Sequence, residues 1–179
     1  MTLAFLFIGI FNTIAFICFV KRYIERMWNA CKKIVLLTTQ EKVWLLVFLI
    51  GSLVISLALR FISVQRILGF LGHPLENRTL MMLATKQQRA LSVDMARVMG
   101  QVANNVPWPC ECLVQAICVK WLLNRNNIPS VLYFGVRIDD PKSLKAHAWI
   151  DVQQDTVIGG PQHQSYKVIS TFISPELSK

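Results

Sequence analysis

Two stretches decide how this chain folds: Cys112-Leu113-Val114-Gln115-Ala116-Ile117-Cys118-Val119-Lys120-Trp121-Leu122-Leu123, and further on Ala146-His147-Ala148-Trp149-Ile150-Asp151-Val152. The first reads as a helix entered from the turn Asn104–Pro109, where Pro107 and Pro109 flank Trp108. It is apolar on most sides apart from Gln115, Lys120 and Asn124, so it is expected to lie buried against a sheet. Asn126-Asn127-Ile128-Pro129 ends it. The second stretch alternates with the period of a strand. Strands are expected over 130–137, 145–153 and 156–159, with Gln154-Asp155 turning between the last two. Upstream, helices are expected over 60–71, ended by Gly72-His73-Pro74, and over 79–103, with Leu80, Leu83, Ala84, Leu91, Met95, Val98 and Met99 for its buried face. Helices followed by an antiparallel meander make an α+β order.

The chemistry follows from the same two stretches. A cysteine at a helix N-terminus feels the positive end of the helix dipole, which favours thiolate over thiol. A histidine on a neighbouring strand can take that proton and return it. In the strand, His147, Trp149 and Asp151 share one face while Ala146, Ala148, Ile150 and Val152 share the other, which suits a core. Trp149 is placed to shield the imidazole from water. Taken singly, a strand histidine is more often structural and a cysteine at a helix start more often a small hydrophobe; occurring together in this order, they point to a thiol hydrolase. Cys110 competes with Cys112, but it lies in the turn and the dipole acts only over the first helical turn; Cys118 reads as packing. A zinc site from Cys110, Cys112, His147 and His163 lacks the usual paired Cys-x-x-Cys spacing, so no metal or other cofactor is expected. His73 and His163 read as surface residues.

Composition adds a membrane. Of 179 residues, 54% are hydrophobic and only 16% charged, an apolar excess over ordinary soluble domains. The excess lies in residues 2–20 and 43–59, both uncharged and near the length that spans a bilayer. The first lacks a basic n-region and a small-residue cleavage site, so it reads as an anchor rather than a cleaved signal. The second could span, lie in the interface or pack as a buried helix. The net charge of +9 is carried upstream: 12 Lys and Arg against 4 acids before residue 110, and 7 against 6 after it. That placement suits anionic lipid head groups, and no recognition motif accompanies it for nucleic acid. The basic connector 21–42 is expected in the cytoplasm, and so is the catalytic domain if 43–59 lies on the membrane. Five irregularly spaced cysteines make a poor disulfide framework and fit that reducing compartment. The expected organisation is an anchor and connector over 1–33, a membrane-associated helical segment over 34–78, and a catalytic domain over 79–179.

Pro107-Trp108, Cys112-Leu113-Val114-Gln115-Ala116, Trp121-Leu122-Leu123-Asn124-Arg125, Ile128-Pro129-Ser130, Gly135-Val136, Ala146-His147-Ala148-Trp149 and Val157-Ile158-Gly159-Gly160-Pro161 follow one another in an order that resembles the transglutaminase-like leader peptidases of lasso-peptide biosynthesis. Glu41-Lys42-Val43-Trp44-Leu45-Leu46 extends the resemblance upstream, so that it covers roughly residues 35 to 170. The first 30 or so residues fall outside it and read as an added anchor, or as an over-long start with Met27 the true one. The resemblance implies a transglutaminase-like, papain-like core and a cysteine protease that removes the leader of a ribosomally made precursor. It implies Cys112 as nucleophile and His147 as general base. It also implies partners: the precursor peptide, a small leader-recognition protein, and an ATP-dependent, asparagine synthetase-like cyclase. Such triads place an Asp about a dozen residues after the histidine, where this chain has Gly159-Gly160. Asp151, Asp155 and Gln162 remain open as third member. That missing Asp keeps alive a second reading, a catalytically degenerate membrane scaffold for precursor and cyclase; amine transfer to the acyl-enzyme is a third.

Overall fold

The computed structural model describes residues 37–69, 73–74, 83–140 and 143–173; the expected anchor at 2–20 and most of the basic connector lie outside the described residues. The chain divides into two units, 1–42 and 43–179. The described end of the first is a capping box. Thr38 Oγ1 accepts from the Glu41 N–H at 3.3 Å, and the Glu41 carboxylate accepts from the Thr38 N–H at 2.7 Å. Together they satisfy donors at the start of helix α1, Thr39–Ala58.

The second unit is α+β. Helices α2 (Val64–Gly69), α3 (Lys86–Ala103) and α4 (Cys112–Arg125) accompany strands β1 (His73–Pro74), β2 (Val131–Asp140), β3 (Ser143–Val152), β4 (Asp155–Ile158) and β5 (Lys167–Ile173). The strands form one sheet in the order β1-β5-β2-β3-β4, antiparallel at every pair. Period 2 divides it into two faces. Leu132, Ala148, Ile150, Val152, Ile158 and Phe172 join one buried cluster with Ile117, Val119 and Leu123 of α4 and Met95, Val98 and Met99 of α3. This face fixes the register: slipping β3 by one residue would exchange Ile150 for Trp149 and Asp151. The other face carries Tyr133, Gly135, His147, Trp149 and Asp151, with Tyr133 opposite Trp149 and Gly135 opposite His147.

Helix α4 ends as its sequence requires. Asn127 adopts φ 52°, the left-handed conformation that asparagine tolerates. The Asn127 N–H then bonds Asn124 O, and the Ile128 N–H bonds Leu123 O at 2.9 Å, a Schellman closure with Ile128 packed in the core beside Leu123. Lys120, expected on a polar side of α4, is fully buried; its ammonium donates to Ser130 O at 2.6 Å and Ser130 Oγ at 2.9 Å. Burial pushes its pKa down to about 7.

Helix α1 shows why residues 43–59 resist a single reading. One side is a wall of the domain: Trp44 and Phe48 join the core, and Ser52 is fully buried. Val43, Leu46, Ile50, Val54 and Leu57 face outward and are exposed. The helix is long and apolar enough to cross a membrane, yet part of it is spent on the domain. Other expectations shift in extent. Helix α3 begins at Lys86, where Thr85 and Gln88 form a capping box, so Leu83 lies outside it and is exposed. Helix α2 covers 64–69 of the expected 60–71. The β3–β4 turn is Gln153-Gln154, one residue early, with Gln153 at φ 61° and Asp155 already paired to Val152. Strand β5, absent from the three-strand expectation, pairs with β2 on the side away from β3.

Candidate active site

His147 stands on β3 within a row of rings. Its imidazole stacks near Trp149, with centroids 6.0 Å apart and planes 23° apart, and also meets Tyr166 at 5.0 Å. Trp149 in turn stacks on Tyr133 at 5.4 Å and touches the His163 ring at 5.7 Å. The Arg137 guanidinium lies 4.9 Å over the Tyr166 ring and donates to Ser165 Oγ at 2.7 Å. Gly135 makes the row possible: a Cβ there would sit 2.8 Å from the Trp149 ring and 3.0 Å from Tyr166. Trp149, a residue the alternation alone would leave in solvent, is thereby buried at 3% exposure.

The imidazole is held by backbone. His147 Nε2 lies 2.9 Å from the carbonyl oxygen of Gly159. His163, expected at the surface, is half-buried against Trp149 and bonds the next carbonyl, Nδ1 to Gly160 O at 2.7 Å. Two consecutive carbonyls thus serve two histidines that both pack near one tryptophan. The backbone there needs glycine: Gly159 has φ 101° and Gly160 φ 61°, a region other residues adopt only under strain. A Cβ at 159 would also overlap the Cβ of Trp149.

None of the three candidate third members contacts the His147 ring. Asp151 accepts from Thr156 Oγ1 at 2.7 Å; burial raises its pKa, an effect partly offset by that bond and by the charge of His163. Asp155 pairs with Arg89 at 3.2 Å, linking β4 to α3. Gln162 is exposed in the 3₁₀ turn Pro161–Ser165, which follows β4 where a regular hairpin would have continued.

Cys112 is the first residue of α4 and is half-buried. Its competitors are set against thiolate chemistry. Burial raises the Cys110 pKa, partly offset by a hydrogen bond with Ser52, and burial raises that of Cys118 to about 12. The turn into α4 is fastened to α1: Ser56 Oγ donates to Pro109 O at 2.7 Å, and Trp108 Nε1 donates to Ser52 Oγ at 3.2 Å. Gln115 Nε2 reaches back to Cys110 O at 2.8 Å. No hydrogen bond joins Cys112 to His147 among the described residues. Helix α4 packs on the face of Ala148 and Ile150, whereas His147 belongs to the alternate set.

No curated protein and no solved structure matches the chain. The family model of the transglutaminase-like superfamily matches residues 55–171, roughly two-thirds of the chain, from the second half of α1 into β5 and including Cys112, His147 and Gly159. A cysteine-headed helix on an antiparallel sheet that carries a histidine agrees with that match, and the chain belongs to the transglutaminase-like superfamily.

Proposed function

We propose that the protein is a cysteine peptidase that removes the leader from a ribosomally synthesised, lasso-type precursor, with Cys112 as nucleophile and His147 as general base. The observation that carries the reading is that one segment matching the superfamily holds both a thiol heading a helix and a strand histidine whose ring is anchored through one nitrogen. His147 takes the thiol proton as the Cys112 sulfur bonds to the scissile carbonyl carbon. The C–N bond breaks, that proton leaves on the amine of the released fragment, and a thioester remains. Water then attacks the thioester with His147 accepting its proton; the C–S bond breaks, releasing the acid, and the proton returns to the sulfur. The backbone N–H of Cys112, at the start of α4, is suited to stabilise the oxyanion. Cleavage would involve a separate leader-recognition protein and supply the free N-terminus to an ATP-dependent, asparagine synthetase-like cyclase. The outward apolar side of α1 would keep the domain at a membrane, with the domain on the cytoplasmic side.

A second reading, a degenerate scaffold that binds precursor and cyclase without cutting, is favoured by the absence of a carboxylate on His147 and of a Cys112–His147 bond among the described residues. Catalytic hydrogen bonds often tighten only in the substrate complex, and the peptidase reading requires Cys112 and His147 to meet there. Mass spectrometry of a precursor incubated with the protein and its recognition partner separates the two: a single leader–core cut supports the peptidase, and tight binding without a cut supports the scaffold.

A further inference from the structure

We propose that the Gly159 backbone carbonyl takes the orienting place that a carboxylate holds in a Cys-His-Asp triad, with Gly159 as a positioning residue that fixes the tautomer of His147. The proposal refines the peptidase reading and rests on it only for the catalytic consequence. A carbonyl oxygen can only accept, so the 2.9 Å contact with His147 Nε2 requires the proton on Nε2. The neutral ring then offers Nδ1 as its one basic nitrogen. The Tyr166 ring at 5.0 Å and the Trp149 ring at 6.0 Å pack near the imidazole and limit its rotation.

The carbonyl is itself held. Gly159 sits at φ 101°, a conformation that disfavours side chains, and a Cβ there would meet Trp149 and the Ala148 carbonyl. Its neighbour Gly160 O is fixed by His163 Nδ1 at 2.7 Å. Position 159 therefore cannot simply regain an aspartate, because the space a side chain needs there is filled by Trp149. The substitution has a chemical cost as well. A neutral carbonyl orients the imidazole but stabilises the imidazolium less than a carboxylate does.

The test is the protonation pattern of His147, read by long-range ¹H–¹⁵N NMR on the histidine-labelled full chain in detergent, above the pH where the rings are charged. Resonances are assigned with His73→Gln, His147→Gln and His163→Gln. The expected result is a protonated Nε2 and an unprotonated Nδ1 for His147; a protonated Nδ1 or a fast-exchanging mixture would overturn the proposal. Gly159→Ala should convert the pattern to a mixture and lower kcat by roughly tenfold or more at little change in KM, since it loosens orientation rather than binding. If Gly159→Ala fails to fold, the wild-type tautomer alone still decides. A fixed Nε2–H with no cleavage by wild type would sink the peptidase reading and leave the assignment of the carbonyl standing.

Discussion

At the scale of single residues, His147 and His163 each lie against Trp149 and each bond a glycine carbonyl, Gly159 O and Gly160 O. The sequence singles out Cys112 and His147 because a thiol at a helix start and a histidine in an alternating strand are rare types in telling places. The structure sets one at the head of α4 and the other on β3, with no hydrogen bond between them among the described residues. Gly159 stands in the sequence where a triad Asp is expected, and its carbonyl contact with His147 could not be read there, since a backbone carbonyl has no letter in a sequence. Lys120 departs from its reading because polarity does not guarantee exposure: it is buried on Ser130, while His163 is half-buried against Trp149. Lys120 gives a prediction with a definite sign. Its folded pKa is about 7 against an ordinary 10.5, so between these values the unfolded chain binds the extra proton and stability rises with pH. Thermal melts from pH 7 to 9 should show that rise in wild type, and Lys120→Met should flatten it. An equal slope in both would show that Lys120 is not the group responsible.

Among the elements, helices with strong caps and strands with clear alternation were legible, and boundaries were not. The start of α3 turned on the Thr85–Gln88 capping box, a signal present in the sequence but outweighed by the apolar residues before it. Strand β5 falls outside the expected strands because Lys167–Ile173 does not alternate: it runs from exposed at its start to buried at its end, and nothing local tells that the chain returns to pair with β2. Helix α1 was ambiguous for a physical reason: a helix with one side on a core and the other open is apolar all round, as a spanning helix is. Its Ser52 and Ser56 hold the turn before Cys112. Ser56→Ala should lower stability by about 1 kcal/mol, the usual net worth of one such bond. It should also slow cleavage by more than that loss of folded protein explains. Unchanged turnover per folded molecule would free α1 from any role in placing Cys112.

For the whole molecule, the superfamily fold was readable from the order of its parts, because α4 followed by β2 and β3 leaves few ways to cover the helix. The relation to a membrane was readable only as a tendency. Seven large apolar residues of α1 stand exposed, and burying them in lipid is worth more than leaving them in water. A photo-crosslinking side chain placed at Leu46 or Val54 should label phospholipid in vesicles containing anionic lipid, while one at Ile138 on β2 should not. Labelling of Ile138 and not of Leu46 would place the membrane on the wrong side of the domain.

The central claim is that Cys112 cuts a peptide bond with the help of His147. Mass spectrometry of a lasso-type precursor, incubated with a recognition partner and with wild type, Cys110→Ala or Cys112→Ala, tests it most directly. The account predicts one leader–core cleavage by wild type and by Cys110→Ala, abolished in Cys112→Ala. Cleavage retained by Cys112→Ala, or intact precursor with every form despite measured binding, would contradict it.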